Sequence, residues 1–174
     1  MGEILGGRYR VVEELGRGGQ GVVLRAVDLK ADVVVALKLI GQGSSSESKL
    51  RSFRRELKMA RKITHPGVVR IYDLVEMPGR FALSMEWVDG KSLDERLERT
   101  GPMDSREIIA LALDLTRALA AAHAAGVTHR DLKPANILLR AESGRAVVTD
   151  FGISRLHLAV EATDLENAPT LLIQ

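Results

Sequence analysis

Two runs of alternating or β-branched character, Tyr9-Arg10-Val11-Val12-Glu13-Glu14-Leu15 and Val22-Val23-Leu24-Arg25-Ala26-Val27, flank a glycine cluster. Their spacing predicts an antiparallel hairpin. A third run, Val33 to Ile40, is apolar on both alternating faces except at Lys38, which predicts a central strand covered on both sides. Gly41 to Ser48 holds two glycines and four serines and reads as a connection. The period then changes. Leu50, Phe53, Leu57 and Ala60 step at 3, 4 and 3 residues and mark one face of a helix that ends before Thr64-His65-Pro66-Gly67. Val68 to Val75 and Phe81 to Val88, separated by Met77-Pro78-Gly79, predict two more strands, and Asp89-Gly90 breaks the pattern.

Helical patterning dominates the second half. Ser92 to Arg99 predicts a short helix. A longer one starts at Asp104, with Glu107 three residues on to complete a capping box, and Gly126 suits its left-handed C-terminal cap. Its expected buried stripe is Ile108, Leu111, Ala112, Leu115, Leu119 and Ala122. Short strands follow around Ile137-Leu138-Leu139 and Ala146-Val147-Val148, and Ile153 to Gln174 shows no sustained period and reads as a tail. The fold class is therefore α+β: a mostly antiparallel sheet with one helix, then a mainly helical part. The expected domains are 1–88 and 89–174.

Composition narrows the classes. The 174 residues are 45% hydrophobic and 28% charged, which excludes a disordered or fibrous chain. The longest apolar run, the six residues Ile108 to Leu113, falls far short of the roughly 20 that a spanning helix needs. No apolar leader follows Met1, so no signal peptide is expected. Without cysteine there is no disulfide or thiolate metal site, which fits a reducing compartment, and a cytoplasmic location is expected. A net charge of +2 gives no argument for nucleic acid. Lys49 to Lys62 carries seven basic residues and one acidic, a solvated helix face before it is a docking patch.

Chemistry concentrates at four places. Gly16, Gly18 and Gly21 form a G-x-G-x-x-G in which backbone amides can approach a phosphate, and a strand after them excludes the dinucleotide-binding version. Lys38 is a cation in an apolar strand and Glu56 a carboxylate beside an apolar helical stripe. Either they pair with each other, or Lys38 snorkels and Glu56 takes a nearby arginine. His129-Arg130-Asp131-Leu132-Lys133-Pro134-Ala135-Asn136 offers a base, a cation and an amide oxygen within eight residues. Asp150-Phe151-Gly152 adds a carboxylate at a strand end. Asn136 with Asp150 supplies the hard oxygen donors that Mg²⁺ shares with substrate phosphates.

Taken in order, these motifs resemble the catalytic domain of the eukaryotic-type Ser/Thr protein kinases, with a bacterial flavour to the composition. The resemblance covers about residues 8 to 155 and implies a two-lobe fold divided after Val88. It implies an ATP- and Mg²⁺-dependent transferase acting on Ser/Thr hydroxyls of a protein substrate. Gly16, Gly18 and Gly21 would cover the phosphates, and Lys38, paired to Glu56, would hold the α- and β-phosphates. Asp131 would take or orient the hydroxyl proton, Lys133 would sit at the γ-phosphate, and Asn136 and Asp150 would ligate the metal. Val23, Ala36 and Leu138 would sandwich adenine; Met85 matches the gatekeeper, and Glu86 and Val88 the hinge. His65 and His129 are expected to be structural, and Thr163 or Thr170 to lie where such enzymes are phosphorylated, with Arg130 as a receiver. No A-P-E follows; Ala168-Pro169-Thr170 stands near its place. The resemblance thus implies a truncated second lobe, exposed apolar surface and marginal stability. The alternative is a nucleotide-binding, pseudokinase-like module.

Overall fold

The computed structural model describes residues 2–18, 21–41, 47–77 and 80–151. The expectations for residues 42–46 of the connection, Pro78-Gly79, Gly152, the tail from Ile153, Thr163, Thr170 and Ala168-Pro169-Thr170 lie outside the described residues. The chain divides into two units, one joining the residues up to Phe53 with Ile71–Trp87, the other joining Arg54–Arg70 with the residues from Val88.

The first unit is a sheet. Its strands are β1 (Ile4–Leu5), β2 (Tyr9–Gly18), β3 (Gly21–Asp28), β4 (Val33–Gly41), β5 (Ile71–Met77) and β6 (Arg80–Glu86), in the order β1-β2-β3-β4-β6-β5 with every neighbouring pair antiparallel. The period-2 alternation sorts the side chains. Leu24, Ala26, Val35 and Leu37 are fully buried in one apolar cluster with Tyr9. The opposite face carries Val23, Ala36, Lys38, Leu83 and Met85, aligned by the pairs Val23↔Lys38, Lys38↔Leu83 and Ala36↔Met85. The β3–β4 turn is pinned by Asp28. Its carboxylate accepts from the Lys30 N–H at 3.0 Å and takes a two-point contact from Arg8, Nε at 2.8 Å and Nη2 at 2.6 Å. Arg8 also reaches Asp73 on β5 at 3.3 Å, so one guanidinium ties three strands' ends.

The helix α1 (Glu47–Ala60) crosses the boundary between the units. Leu57 and Ala60 are buried as its stripe predicts, and the side chains of Leu50 and Phe53 lie outside the described ones. The strand expected over Val68–Val75 begins three residues later. Val68 and Val69 are engaged elsewhere: the Val148 N–H donates to Gly67 O at 2.8 Å and the Val69 N–H to Val148 O at 2.9 Å. Val68 and Val148 thus form an isolated parallel bridge within the second unit.

That unit contains β7 (Gly90–Ser92), α2 (Leu93–Thr100), α3 (Ser105–Ala124), a 3-10 turn (Pro134–Asn136), β8 (Ile137–Arg140) and β9 (Ala146–Val148). The last two strands and β7 form an antiparallel three-stranded sheet. β7 has no hydrophobic pattern to announce it. Gly90 is required there, because a Cβ would lie 2.1 Å from the Leu139 carbonyl oxygen. The capping box of α3 forms as predicted, Asp104 accepting from the Glu107 N–H and Glu107 from the Asp104 N–H, both at 2.8 Å. Its far end closes with Gly126 at φ 76°, the Val127 N–H reaching Ala122 O and the Gly126 N–H reaching His123 O, both at 2.9 Å.

The buried stripe of α3 needs correction. Asp114, Ala118 and Ala122 are the buried positions, Leu111, Leu115 and Leu119 are partly buried, and Ile108 and Ala112 are exposed. The face is rotated because a carboxylate sits inside it, compensated by Arg145 and a backbone N–H. Ile108, Ile109 and Leu113 are consequently 52%, 61% and 50% exposed.

Candidate active site

The expected nucleotide-binding residues of the first unit share one region of its sheet. Gly16 and Gly18 lie on β2 and Gly21 opens β3, with Gly16 opposite Val23 and Gly18 opposite Gly21. Gly21 has φ 102°, and a Cβ there would lie 2.3 Å from Leu39 O, so both its conformation and the close strand demand glycine. Among the described residues, and leaving aside its chain neighbours, no atom lies within 4 Å of a Cβ built on Gly16. Val23, Ala36 and Lys38 follow on the same face, and Lys38 is only 2% exposed. A lysine so enclosed must be compensated, since burying an ammonium alone is prohibitive. Met85 is buried near the end of β6 and Glu86 is half-buried as its last residue.

The second unit holds the remaining expected residues: Glu56, Val88, Asp131, Lys133, Asn136, Leu138 and Asp150. Val88 is buried, and Leu138 lies on β8 opposite Val147. Asp131 is the hub of a small cluster. Its Oδ2 lies 2.9 Å from Lys133 Nζ and accepts from Asn136 Nδ2 at 3.2 Å; Asn136 Nδ2 also donates to the Asp131 carbonyl at 2.8 Å. Proline starts the 3-10 turn, whose tight geometry brings the Asn136 N–H to the Lys133 carbonyl at 2.9 Å. With its nitrogen committed to Asp131, the buried Asn136 amide turns its carbonyl oxygen the other way. Asp150 joins through the backbone. The Thr149 N–H donates to Asn136 O at 3.0 Å, one residue before Asp150.

His129 fixes the other side of that junction. It is 3% exposed, Nε2–H donates to Thr149 O at 2.7 Å, and Nδ1 accepts from the Asp131 N–H at 3.3 Å. The ring stands edge-on to Phe151 with centroids 4.7 Å apart. With both nitrogens occupied, His129 orients the loop. His65 does the same for its turn, Nδ1 accepting from the Gly67 N–H at 3.0 Å. Glu56 accepts from Arg130, whose Nη1 lies 3.3 Å from Oε1. Three non-glycine residues among those described have positive φ: Asp32 in a turn, and Arg130 at 68° and Asp150 at 65° beside the cluster. Such conformations cost of order 1–3 kcal/mol and collect at functional sites.

The donor set suits a hard cation that completes its shell with phosphate oxygens. An amide oxygen on Asn136 and the Asp150 carboxylate flank one hairpin, and among the described residues no group of three or more His, Asp or Glu converges into a closed cage. The sequence missed the link between Asp114 and the β8–β9 hairpin, although a carboxylate in a helix's apolar stripe is the signal that singled out Glu56.

The fold and these motifs define the class. Residues 9–167 match the protein kinase domain, and the chain belongs to that family. The relatives it resembles are bacterial Ser/Thr kinases. It is 43% identical over 150 residues to the serine/threonine-protein kinase PknD of Mycobacterium tuberculosis, covering 86% of this chain and 22% of the relative. It is 39% identical over 162 residues to PknE of the same species, covering 92% and 28%. With PrkC of Bacillus subtilis it shares 34% over 173 residues, covering 99% and 26%. The chain thus spans about a quarter of the length of these relatives. No helix among the described residues is long and apolar enough to cross a membrane.

Proposed function

We propose that the chain carries an ATP- and Mg²⁺-dependent phosphotransfer site acting on serine or threonine hydroxyls of a protein. The observation that carries this reading is the cluster in which Asp131 meets Lys133 at 2.9 Å and Asn136 at 3.2 Å, with Asp150 one residue beyond the Thr149–Asn136 bond. Phosphoryl transfer needs little covalent help, so positioning and charge neutralisation suffice. Asp131 orients the substrate hydroxyl and receives its proton as the new O–P bond forms and the bond to the ADP oxygen breaks. Lys133 offsets charge on the γ-phosphate. Asn136 and Asp150 would hold Mg²⁺, which neutralises phosphate charge when bound. Gly16, Gly18 and Gly21 offer backbone amides to the phosphates, Lys38 and Glu56 are assigned to the α- and β-phosphate end, and Val23, Ala36 and Leu138 to adenine. Glu86 and Val88 are assigned to the adenine edge. A cytoplasmic location fits the ATP requirement and the lack of cysteine.

The test is transfer of labelled γ-phosphate to a generic protein acceptor, with nucleotide binding measured alongside. Asp131→Asn should lower turnover at least about a hundredfold with nucleotide affinity retained, and Lys38→Met should impair both. Nucleotide binding by the wild type without transfer would replace this reading by a nucleotide-binding module.

A further inference from the structure

We infer that Asp114, in the middle of α3, is the positioning residue that sets the register of the β8–β9 hairpin and through it the spacing of Asn136 and Asp150; the inference rests on the metal assignment just proposed. Asp114 is 9% exposed. Its carboxylate takes a two-point contact from Arg145, Nε at 2.8 Å and Nη2 at 2.7 Å, and accepts the Ala146 N–H at 3.1 Å. Burial by itself would raise the carboxyl's pKa. The hydrogen bonds from Arg145 and Ala146, with the Arg145 and Arg117 charges, overturn that and hold it below the usual aspartate range.

Arg145 and Ala146 are where the hairpin turns back into β9. The hairpin is closed by the Arg140 N–H to Arg145 O at 3.0 Å, and β9 then pairs in the register Ile137↔Val148, Leu138↔Val147, Leu139↔Ala146. Asn136 immediately precedes β8, and Asp150 follows β9 by one intervening residue, Thr149. Any slide of β9 along β8 therefore changes the distance between the two proposed ligands. The apolar contacts do little to prevent a slide. α3 meets β9 through Ala118 and Ala122 against Val148, and burial of small smooth side chains is non-directional. A bidentate carboxylate–guanidinium contact plus a backbone N–H is directional and fixes position along the helix axis. From Asp114 the hydrogen bonds run through Ala146 and β9 to Thr149, whose N–H holds Asn136 O and whose carbonyl holds His129. Asp114 touches no reacting atom in this scheme; it acts through the hairpin.

The experiment is a Mg²⁺ titration of the binding of a fluorescent ATP analogue to the 174-residue chain, compared with affinity for the analogue in chelator and with thermal melting. Asp114→Ala should raise the Mg²⁺ concentration for half-saturation about tenfold, the range seen when an outer-sphere support of a metal ligand is lost. Metal-free analogue affinity should stay unchanged. Asp114→Asn, which keeps an acceptor oxygen, should recover part of the loss, and Arg145→Ala should give a smaller rise. A role in stability alone would lower the melting temperature of Asp114→Ala and leave the Mg²⁺ midpoint at the wild-type value; that result overturns the inference. If Asp114→Ala does not fold, unchanged midpoints in both Asp114→Asn and Arg145→Ala overturn it equally. If wild-type binding does not depend on Mg²⁺, or Asp150→Asn leaves that dependence unaltered, the metal assignment itself fails and the inference falls with it.

Discussion

At the scale of single residues, two buried carboxylates, Asp28 and Asp114, are compensated by arginines and backbone N–H groups, and that compensation has a pH signature. Arg8 hydrogen-bonds Asp28 and, against the effect of burial, holds its carboxyl below the ordinary aspartate value, with the Lys30 and Ala31 N–H groups adding to the effect. The folded-state pKa lies below the unfolded one, so the contribution is complete above the unfolded value of about 3.9 and is lost as pH falls through the folded value. Asp114 adds in the same direction. Urea midpoints should therefore fall steadily from pH 5 toward pH 2, and Asp28→Asn should flatten that slope while lowering stability at pH 7. An unchanged slope would mean that the ion pair with Arg8 persists in the unfolded chain.

At the scale of elements, the β2–β3 hairpin and the ends of α3 were legible in the sequence because local chemistry dictates them. Asp104 with Glu107 announces a helix start, and Gly126 its end. Replacing Asp104 with alanine should cost about 1 kcal/mol by denaturant unfolding; no measurable loss would show that water satisfies the first turn as well. What was not legible depended on partners distant in the chain. The sequence placed Ile108 and Ala112 in the core because apolar spacing was counted without Asp114, whose burial depends on Arg145 thirty-one residues later. β7 is three residues with no alternation, specified by the edge of β8. Val68 and Val69 look like the start of a strand, but Val68 instead sits opposite Val148, which is bracketed by the Gly67 carbonyl and the Val69 N–H. The motifs behind the proposed site stand out in the sequence because their side chains cluster in short segments. Arg130, one partner of Glu56, lies 74 residues away, and spacing could not choose it among many arginines.

At the scale of the whole molecule, the rotated stripe of α3 leaves Ile108, Ile109 and Leu113 on the surface. Each such side chain forgoes about 1.5–3 kcal/mol that burial would supply, a large share of a typical domain stability of roughly 5–15 kcal/mol. The native chain should bind an apolar fluorescent dye at neutral pH. Changing Ile108, Ile109 and Leu113 together to serine should reduce that fluorescence without lowering the melting temperature. Fluorescence equal to wild type would put the dye elsewhere, and a large drop in melting temperature would mean that these side chains are covered in solution.

Thr149 shows where natural variation has room in this design. Its carbonyl is held by His129 and its N–H by Asn136, whereas none of these contacts uses its hydroxyl. Evolution can therefore exchange this side chain for valine, serine or another small residue with little penalty, while proline is barred because it would delete the donor. The constraint is written in the peptide group, so among side-chain exchanges only proline reports it. An ester in place of the Thr149 amide would isolate it.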